Sequence, residues 1–188
     1  DATVENVTRD LAMFAVQGPE AADLLVEAGS EAVRELSRFE IAALDVAGTV
    51  WDETEAAALD HPRVRFLGRL GREALADLHA GALCTVVPNV TGARGEFEGF
   101  GLVATEAAAA GGVVLAADRD GLRAAVVHGE TGFLLPSGEP EPWIARIREI
   151  RGWSEAERAA FVARSLATVR RVYSWDRVAV ETLAAYRG

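Results

Sequence analysis

The stretch that decides how this chain folds is Glu98-Gly99-Phe100-Gly101-Leu102-Val103-Ala104-Thr105-Glu106, a glycine-flanked loop that runs into an alanine-rich segment. Because Gly99 and Gly101 lack a Cβ, their backbone can approach a ligand closely. A helix that begins near Gly101 points its free N–H groups and positive dipole end at that ligand, which favours a phosphate or the polar edge of a sugar. The two glutamates would then offer acceptors at different depths along one bound molecule. From residue properties alone, the simpler interpretation is that both glutamates are solvated surface charges.

The composition is that of an ordinary globular chain, with 188 residues of which 50% are hydrophobic and 26% charged. This length suits one domain and is enough to bury a core. A formal net charge of −10 disfavours a nucleic-acid partner. No apolar run approaches the ~20 residues that cross a bilayer, and no signal peptide is recognisable. The lone cysteine, Cys84, lies in an apolar run and is expected to be buried, so the sequence predicts a cytoplasmic protein.

Strand-like and helix-like segments alternate along the chain. Apolar runs predict strands over 11–17, 39–47, 64–68, 84–87, 113–117 and 133–135. Helices are predicted over 19–36, 52–59, 72–80, from about 101, and over 121–127, 140–150, 154–171 and 174–186. Because the strands are apolar without alternation, we expect a mainly parallel sheet with helices on both faces, an α/β Rossmann-like three-layer sandwich with a helical C-terminal tail. In such sheets ligands bind at the carboxyl ends of the strands, where the 98–106 stretch begins.

The 98–106 stretch is similar to the E-x7-E region of retaining GT-B glycosyltransferases of the family 4 type. The same family has a Pro-Asn segment before this region, matched here by Pro88-Asn89. Later landmarks, 129–135 and 173–179, follow in the family's order. The resemblance covers about 61–186 and implies the donor-binding, C-terminal half of a GT-B fold. The implied activity is transfer of a sugar, with retention, from a nucleoside-diphosphate donor.

The resemblance also assigns roles position by position. Glu98 would contact the donor sugar as the catalytic residue, and Glu106 would bond the ribose hydroxyls. The backbone around the helix start would hold the sugar and diphosphate, and one strand end would lie near the base. The donor-binding positions are Gly99, Phe100, Gly101, Leu102 and Val103, and the base-vicinity positions are Leu67 and Gly68. No metal or cofactor is implied, the nucleotide-sugar being a substrate, and the three histidines are too scattered for metal-ligand spacing.

The first 60 residues depart from the family pattern. Members begin this domain with a strand that ends in Gly-Arg, followed by a lysine, and these two cations grip the diphosphate. Here the equivalent strand would end at 16–20 without an arginine, and all 19 basic residues of the chain are arginine. Loss of such a group raises a barrier by several kcal/mol. The acceptor-binding N-terminal domain is also absent, so the resemblance implies a chain that is inactive alone.

A second resemblance covers about residues 4–49, with 8–22 as the segment that carries it, and is to glycine-cleavage T-protein, an aminomethyltransferase. This suggests one domain of chimeric origin with a junction near 48–60. Two alternatives therefore stay open: a folded scaffold that binds no ligand, and a folate-binding fragment. In intact relatives of the glycosyltransferase family the last helix packs toward the partner domain. In this chain its apolar stripe is expected to be exposed, which favours a homodimer.

Overall fold

The computed structural model describes residues 11–14, 43–50, 57, 59–62, 64–89 and 98–187. Within this part of the chain, six strands form one sheet: β1 (Leu11–Phe14), β2 (Ala43–Ala47), β3 (Val64–Gly68), β4 (Thr85–Val87), β5 (Val114–Ala117) and β6 (Gly132–Leu135). All neighbouring strands pair in parallel, in the order β3-β2-β1-β4-β5-β6. β1 thus lies inside the sheet, with β2 and β3 added outward on one side and β4, β5 and β6 on the other. This topology puts a switch point between β1 and β4, where doubly wound sheets bind ligands.

The described helices are α1 (Arg72–Gly81), α2 (Leu102–Ala109), α3 (Leu122–Ala125), α4 (Pro140–Arg151), α5 (Glu155–Val172) and α6 (Trp175–Arg187). They confirm the predicted α/β alternation and the helical tail. The helix predicted over 121–127 is shorter at both ends. The predicted helix over 19–36 and most of the one over 52–59 lie outside the described residues.

The core lies between the central strands and the helices that cover them. β4 and β5 are buried along their whole length, so alternation is absent, as expected for a strand covered on both faces. α2 packs on these strands through small residues, Ala104, Ala107 and Ala108. After α2 the backbone passes α1 so closely that a Cβ on Gly112 would lie 2.8 Å from the carbonyl oxygen of His79. Small residues therefore allow α2 to pack closely on the sheet, and Gly112 allows the chain after it to pass close to α1.

α5 begins with a capping box, whose sequence signature is the three-residue spacing of Ser154 and Glu157. Ser154 Oγ accepts a hydrogen bond from the Glu157 N–H at 3.3 Å, and the Glu157 carboxylate accepts one from the Ser154 N–H at 2.7 Å. The Ser154 hydroxyl also donates to the Glu157 carboxylate at 2.7 Å, and this bond, followed by the one from the Ser154 N–H, lowers the pKa of Glu157. Further along α5, Arg158 donates hydrogen bonds to the carbonyl oxygens of Ala82 and Leu83, which precede β4. The helix is thus tied to the strand that leads to the 98–106 stretch.

Two side chains, one aromatic and one polar, differ from the sequence-based expectation. The sequence predicts that Trp143, Trp153 and Trp175 all pack among the tail helices. The side chain of Trp175 is instead 84% exposed, and no residue of α6 is buried. His79 is expected on a helix face, yet it is buried at 1% exposure and bonded through Nδ1 to Thr85 Oγ1 at 3.0 Å. No described helix is both long and apolar enough to cross a membrane.

Candidate functional site

The start of α2 depends on a glycine in a left-handed conformation. Gly101 has φ 82° and ψ 53°, and a Cβ at this position would lie 2.5 Å from Leu122 Cδ2. Only glycine adopts this conformation without strain, and here it also leaves room for Leu122. The prediction of a helix start near Gly101 is confirmed, because α2 begins at the next residue.

The mouth of α2 offers backbone N–H groups. Those of Leu102 and Val103 have no acceptor within the helix, and Gly101 has no side chain to cap them. Ala104 N–H already donates to the Gly101 carbonyl oxygen at 3.0 Å. The helix dipole adds partial positive charge at this end. The arrangement therefore suits an acceptor that arrives from solvent, such as a phosphate oxygen.

Glu98 is held by both its backbone and its carboxylate. Oε1 accepts hydrogen bonds from the N–H groups of Gly101 at 3.0 Å and Phe100 at 3.4 Å. Oε2 accepts one from Asn89 Nδ2 at 3.3 Å. The Glu98 carbonyl oxygen accepts a bond from Gly121 N–H at 3.0 Å. The resemblance assigned the N–H groups of Phe100 and Gly101 to the sugar donor, but in this structure they bond to Glu98. The next two N–H groups along the chain are the ones left at the helix mouth.

The loop between β5 and α3 packs directly on the 98–101 segment. A Cβ on Gly121 would lie 2.4 Å from the Gly99 carbonyl oxygen and 2.5 Å from Phe100 Cα, so the two backbones touch. Ion pairs of 2.7 Å join the side chains within this loop and α3: Arg119–Asp120 and Arg123–Asp118. Residues 118–121 follow β5 and therefore lie at the same carboxyl edge of the sheet as Glu98. The loops that follow β4 and β5 form one structural unit.

Exposed apolar side chains lie at the helix mouth. Leu102 is 64% exposed and Phe100 is 36% exposed. The Phe100 ring lies 6.0 Å from that of Tyr173 in an edge-to-face arrangement, and Tyr173 Oη donates to the Ala124 carbonyl oxygen at 2.8 Å. Burial raises the pKa of Tyr173. The sequence predicted no role for Tyr173 at this site. Its position as the first residue of the 173–179 landmark is the feature that could have pointed to it.

Glu106 lies in the second turn of α2 with an exposed side chain. The residue before it, Thr105, is buried and donates through its hydroxyl to the Leu102 carbonyl oxygen at 2.8 Å. Thr105 therefore belongs to the packing of α2, whereas Glu106 remains accessible to a ligand. Its expected bond to ribose hydroxyls stays a prediction.

Leu67 and Gly68 are at the carboxyl end of β3, on the same sheet edge as Glu98. Gly68 has φ 65°, and its carbonyl oxygen accepts a bond from Gly48 N–H at 2.9 Å, which ties the ends of β2 and β3. Three strand spacings separate β3 from β4, roughly 14 Å. Only an extended ligand would reach both places, so the base vicinity also stays a prediction. Among the described residues, no three His, Cys, Asp or Glu side chains are grouped so that they could hold a metal ion.

The family model for glycosyl transferases group 1 matches residues 11–151. The chain belongs to this family. The group 1 glycosyltransferase match runs across 48–60, so the expected chimera, with its junction there, receives no support. In fold and family, the chain corresponds to the C-terminal domain of a GT-B glycosyltransferase.

Curated relatives of this glycosyltransferase chain include two bacterial proteins. One, D-inositol 3-phosphate glycosyltransferase of Streptomyces avermitilis, is 37% identical over 123 residues, 65% of this chain and 25% of the relative. The Gordonia bronchialis protein of the same name is 30% identical over 187 residues, 91% of this chain and 38% of the relative. The chain thus spans well under half the length of these relatives.

Solved structures of similar fold include HepE of Anabaena, which was crystallised with UDP. It shares 18% identity and a TM-score of 0.71, covering 96% of this chain and 50% of HepE. TarM shares 15% identity and a TM-score of 0.73, covering 96% of this chain and 36% of TarM. At these identities the similarity concerns the fold.

Proposed function

We propose that this chain is the donor-binding domain of a retaining glycosyltransferase and binds a nucleoside-diphosphate sugar at the mouth of α2. The main support is the uncapped pair of N–H groups at Leu102 and Val103, placed beside Glu98 at the carboxyl edge of a parallel sheet. HepE, a protein of the same fold, was crystallised with UDP and with UDP-glucose.

In this proposal the ligand lies along the sheet edge. The diphosphate contacts the backbone at Leu102 and Val103, where the helix dipole favours negative charge. The sugar lies against Glu98, whose fixed carboxylate accepts a bond from a sugar hydroxyl. The ribose reaches the exposed Glu106, and the base extends toward Leu67 and Gly68. The reacting carbon is thereby placed beside an acidic side chain that the loop holds in a defined orientation.

We further propose that the chain alone transfers no sugar. No lysine is present in the sequence to neutralise the departing diphosphate. A closed cleft between two domains would also be needed to position an acceptor and exclude water. Incubation with a labelled nucleotide-sugar and simple acceptors should give no labelled product, and turnover would contradict this part of the proposal. The cytoplasmic location expected from the lone Cys84 belongs to the same proposal.

Titration calorimetry with UDP, GDP and their sugars tests the binding site. We expect Glu106→Ala to weaken binding of the preferred nucleotide about tenfold or more, because a charge-assisted hydrogen bond to ribose is lost. Glu141→Ala, on the exposed first turn of α4, is the control and should bind like the unmodified chain. Tetrahydrofolate should give no heat.

The second candidate is a scaffold that keeps the fold but binds no ligand. The absence of lysine favours it, since the diphosphate would meet no lysine side chain. In that case no nucleotide gives heat, and Glu106→Ala has nothing to change. A saturable binding isotherm for any one nucleotide rejects the scaffold.

A further inference from the structure

Asn89 links the Glu98 side chain to the end of a sheet strand. It lies two residues after β4, and its Nδ2 donates to Glu98 Oε2 at 3.3 Å. An ionised carboxylate is an acceptor only, so the amide must present its nitrogen, not its oxygen, to Glu98. The orientation of the Asn89 side chain is therefore set by Glu98.

The two oxygens of Glu98 are held in different ways. Oε1 is bonded by Phe100 and Gly101, its own neighbours in the loop, and these bonds would follow the loop wherever it moved. Oε2 is bonded by a residue that is anchored at the end of a central strand. Asn89 is itself fixed, because its carbonyl oxygen accepts a bond from Ser137 Oγ at 2.7 Å, after β6. Asn89 thus links the carboxylate direction to the sheet.

The other half of the same amide is left without a partner. Asn89 Oδ1 is buried and accepts no hydrogen bond. Leaving a buried acceptor unpaired is unfavourable, and an apolar residue at this position would avoid the loss. The benefit of an asparagine at this position must therefore come from its amide NH2 group, and the described acceptor for that group is Glu98.

We propose that Asn89 is a positioning residue, which aims the Glu98 carboxylate at the sugar of the bound donor and so contributes to recognition of the sugar rather than of the nucleotide. The inference rests on the function proposed above. It concerns the extra affinity that the sugar adds, measured as the ratio of the Kd for UDP to the Kd for UDP-glucose.

Three variants test this role by calorimetry. Asn89→Asp keeps the shape of the side chain but replaces the donor with an acceptor that faces Glu98. Glu98→Gln removes the charge. The double variant reverses the pair, because the amide nitrogen introduced at position 98 can donate to the carboxylate introduced at position 89, while the amide oxygen still accepts from Gly101 N–H. Thr168→Val, which removes a bond of 2.9 Å to Glu130 outside the site, is the control for general loss of stability.

We expect Asn89→Asp to lower the sugar-dependent ratio about tenfold while the Kd for UDP changes less than about twofold. The double variant should recover part of the lost ratio, and Thr168→Val should leave it unchanged. An equal loss of UDP and UDP-glucose affinity in Asn89→Asp, or no recovery in the double variant, overturns the positioning role alone. If the unmodified chain binds UDP but gains nothing from the sugar, the role of Glu98 is overturned with it. If it binds no nucleotide, the proposed function itself fails.

Discussion

Gly121 and Gly99 show at the residue scale how little space separates the two loops of the candidate site. A Cβ on Gly121 would meet backbone atoms of Gly99 and Phe100 within 2.5 Å, and backbone cannot turn aside as a side chain can. A Cβ on Gly99 would meet nothing within 4 Å. Neither residue has a positive φ, so substitution at either tests contact and not backbone strain.

Gly121→Ala should lower the free energy of unfolding by about 2 kcal/mol, because overpacking forces the two loops apart. Gly99→Ala in the same contact should change it by less than about 0.5 kcal/mol. Urea unfolding followed by circular dichroism measures both. Equal stability of the two variants would mean that the loops do not pack as described.

His79 is a second residue whose surroundings predict a measurable effect. It is buried, its Nε2 has no hydrogen-bond partner, and burial lowers its pKa from 6.5 to about 4. Between these values the unfolded chain binds a proton that the folded chain does not. The contribution of His79 to stability is therefore complete above about pH 6.5 and is lost as the pH falls toward 4.

Unfolding measured at pH 7 and pH 5 should show a loss of about 2 kcal/mol that is due to His79. His79→Gln should remove most of this pH dependence, since glutamine does not titrate. The exposed His128, replaced in the same way, serves as the comparison. A pH dependence that persists unchanged in His79→Gln would contradict the assignment.

At the scale of elements, α5 contacts both the segment before β4 and strand β6. Its first turn is fixed by Ser154 and Glu157, and Arg158 then reaches the carbonyl oxygens before β4. The buried face of the helix includes Phe161, which stacks on Phe133 of β6 at 5.4 Å. A weaker start of α5 should therefore destabilise the domain and not the helix alone.

Ser154→Ala should cost about 1 kcal/mol of unfolding free energy, the usual effect of losing an N-cap. Ser154→Thr should retain most of the stability, because its hydroxyl can accept the same bond from Glu157 N–H. Thermal melting of the three proteins side by side tests the capping box. The hypothesis fails if Ser154→Ala and Ser154→Thr have the same melting temperature.

At the scale of the whole molecule, α6 stands apart because none of its residues is buried. Its exposed apolar side chains are Trp175, Val178, Val180, Leu183 and Tyr186. The helix still begins as predicted, with Ser174 Oγ accepting from Arg177 N–H at 3.3 Å. An apolar face without cover favours association.

We expect the chain to form a homodimer through α6 with rising concentration, and Leu183→Ser to weaken it. Glu181→Gln, in the ion pair of 3.6 Å with Arg177 on the polar side, should leave association unchanged. Sedimentation velocity over a range of concentrations measures both. A chain that sediments as a monomer throughout would reject the homodimer.

Among the described residues, sequence alone determined where the elements lie, because the signals for them are local. Apolar runs marked β3 and β5, the Ser154–Glu157 spacing marked the start of α5, and Gly101 marked the start of α2. Placing the 98–106 stretch at the carboxyl edge of a parallel sheet also followed from the sequence, while the roles of its residues remain predictions.

Tertiary structure decided what depends on contacts between distant segments. It buried His79 against Thr85, left Trp175 in solvent, and brought Asn89 and Gly121 to Glu98. A side chain's environment is fixed by whichever element packs over it, and hydrogen bonds between loops depend on the order of the strands that carry them. The hydrophobic pattern of a single segment specifies neither the element that packs over it nor the order of the strands. These features therefore depend on the assembled sheet.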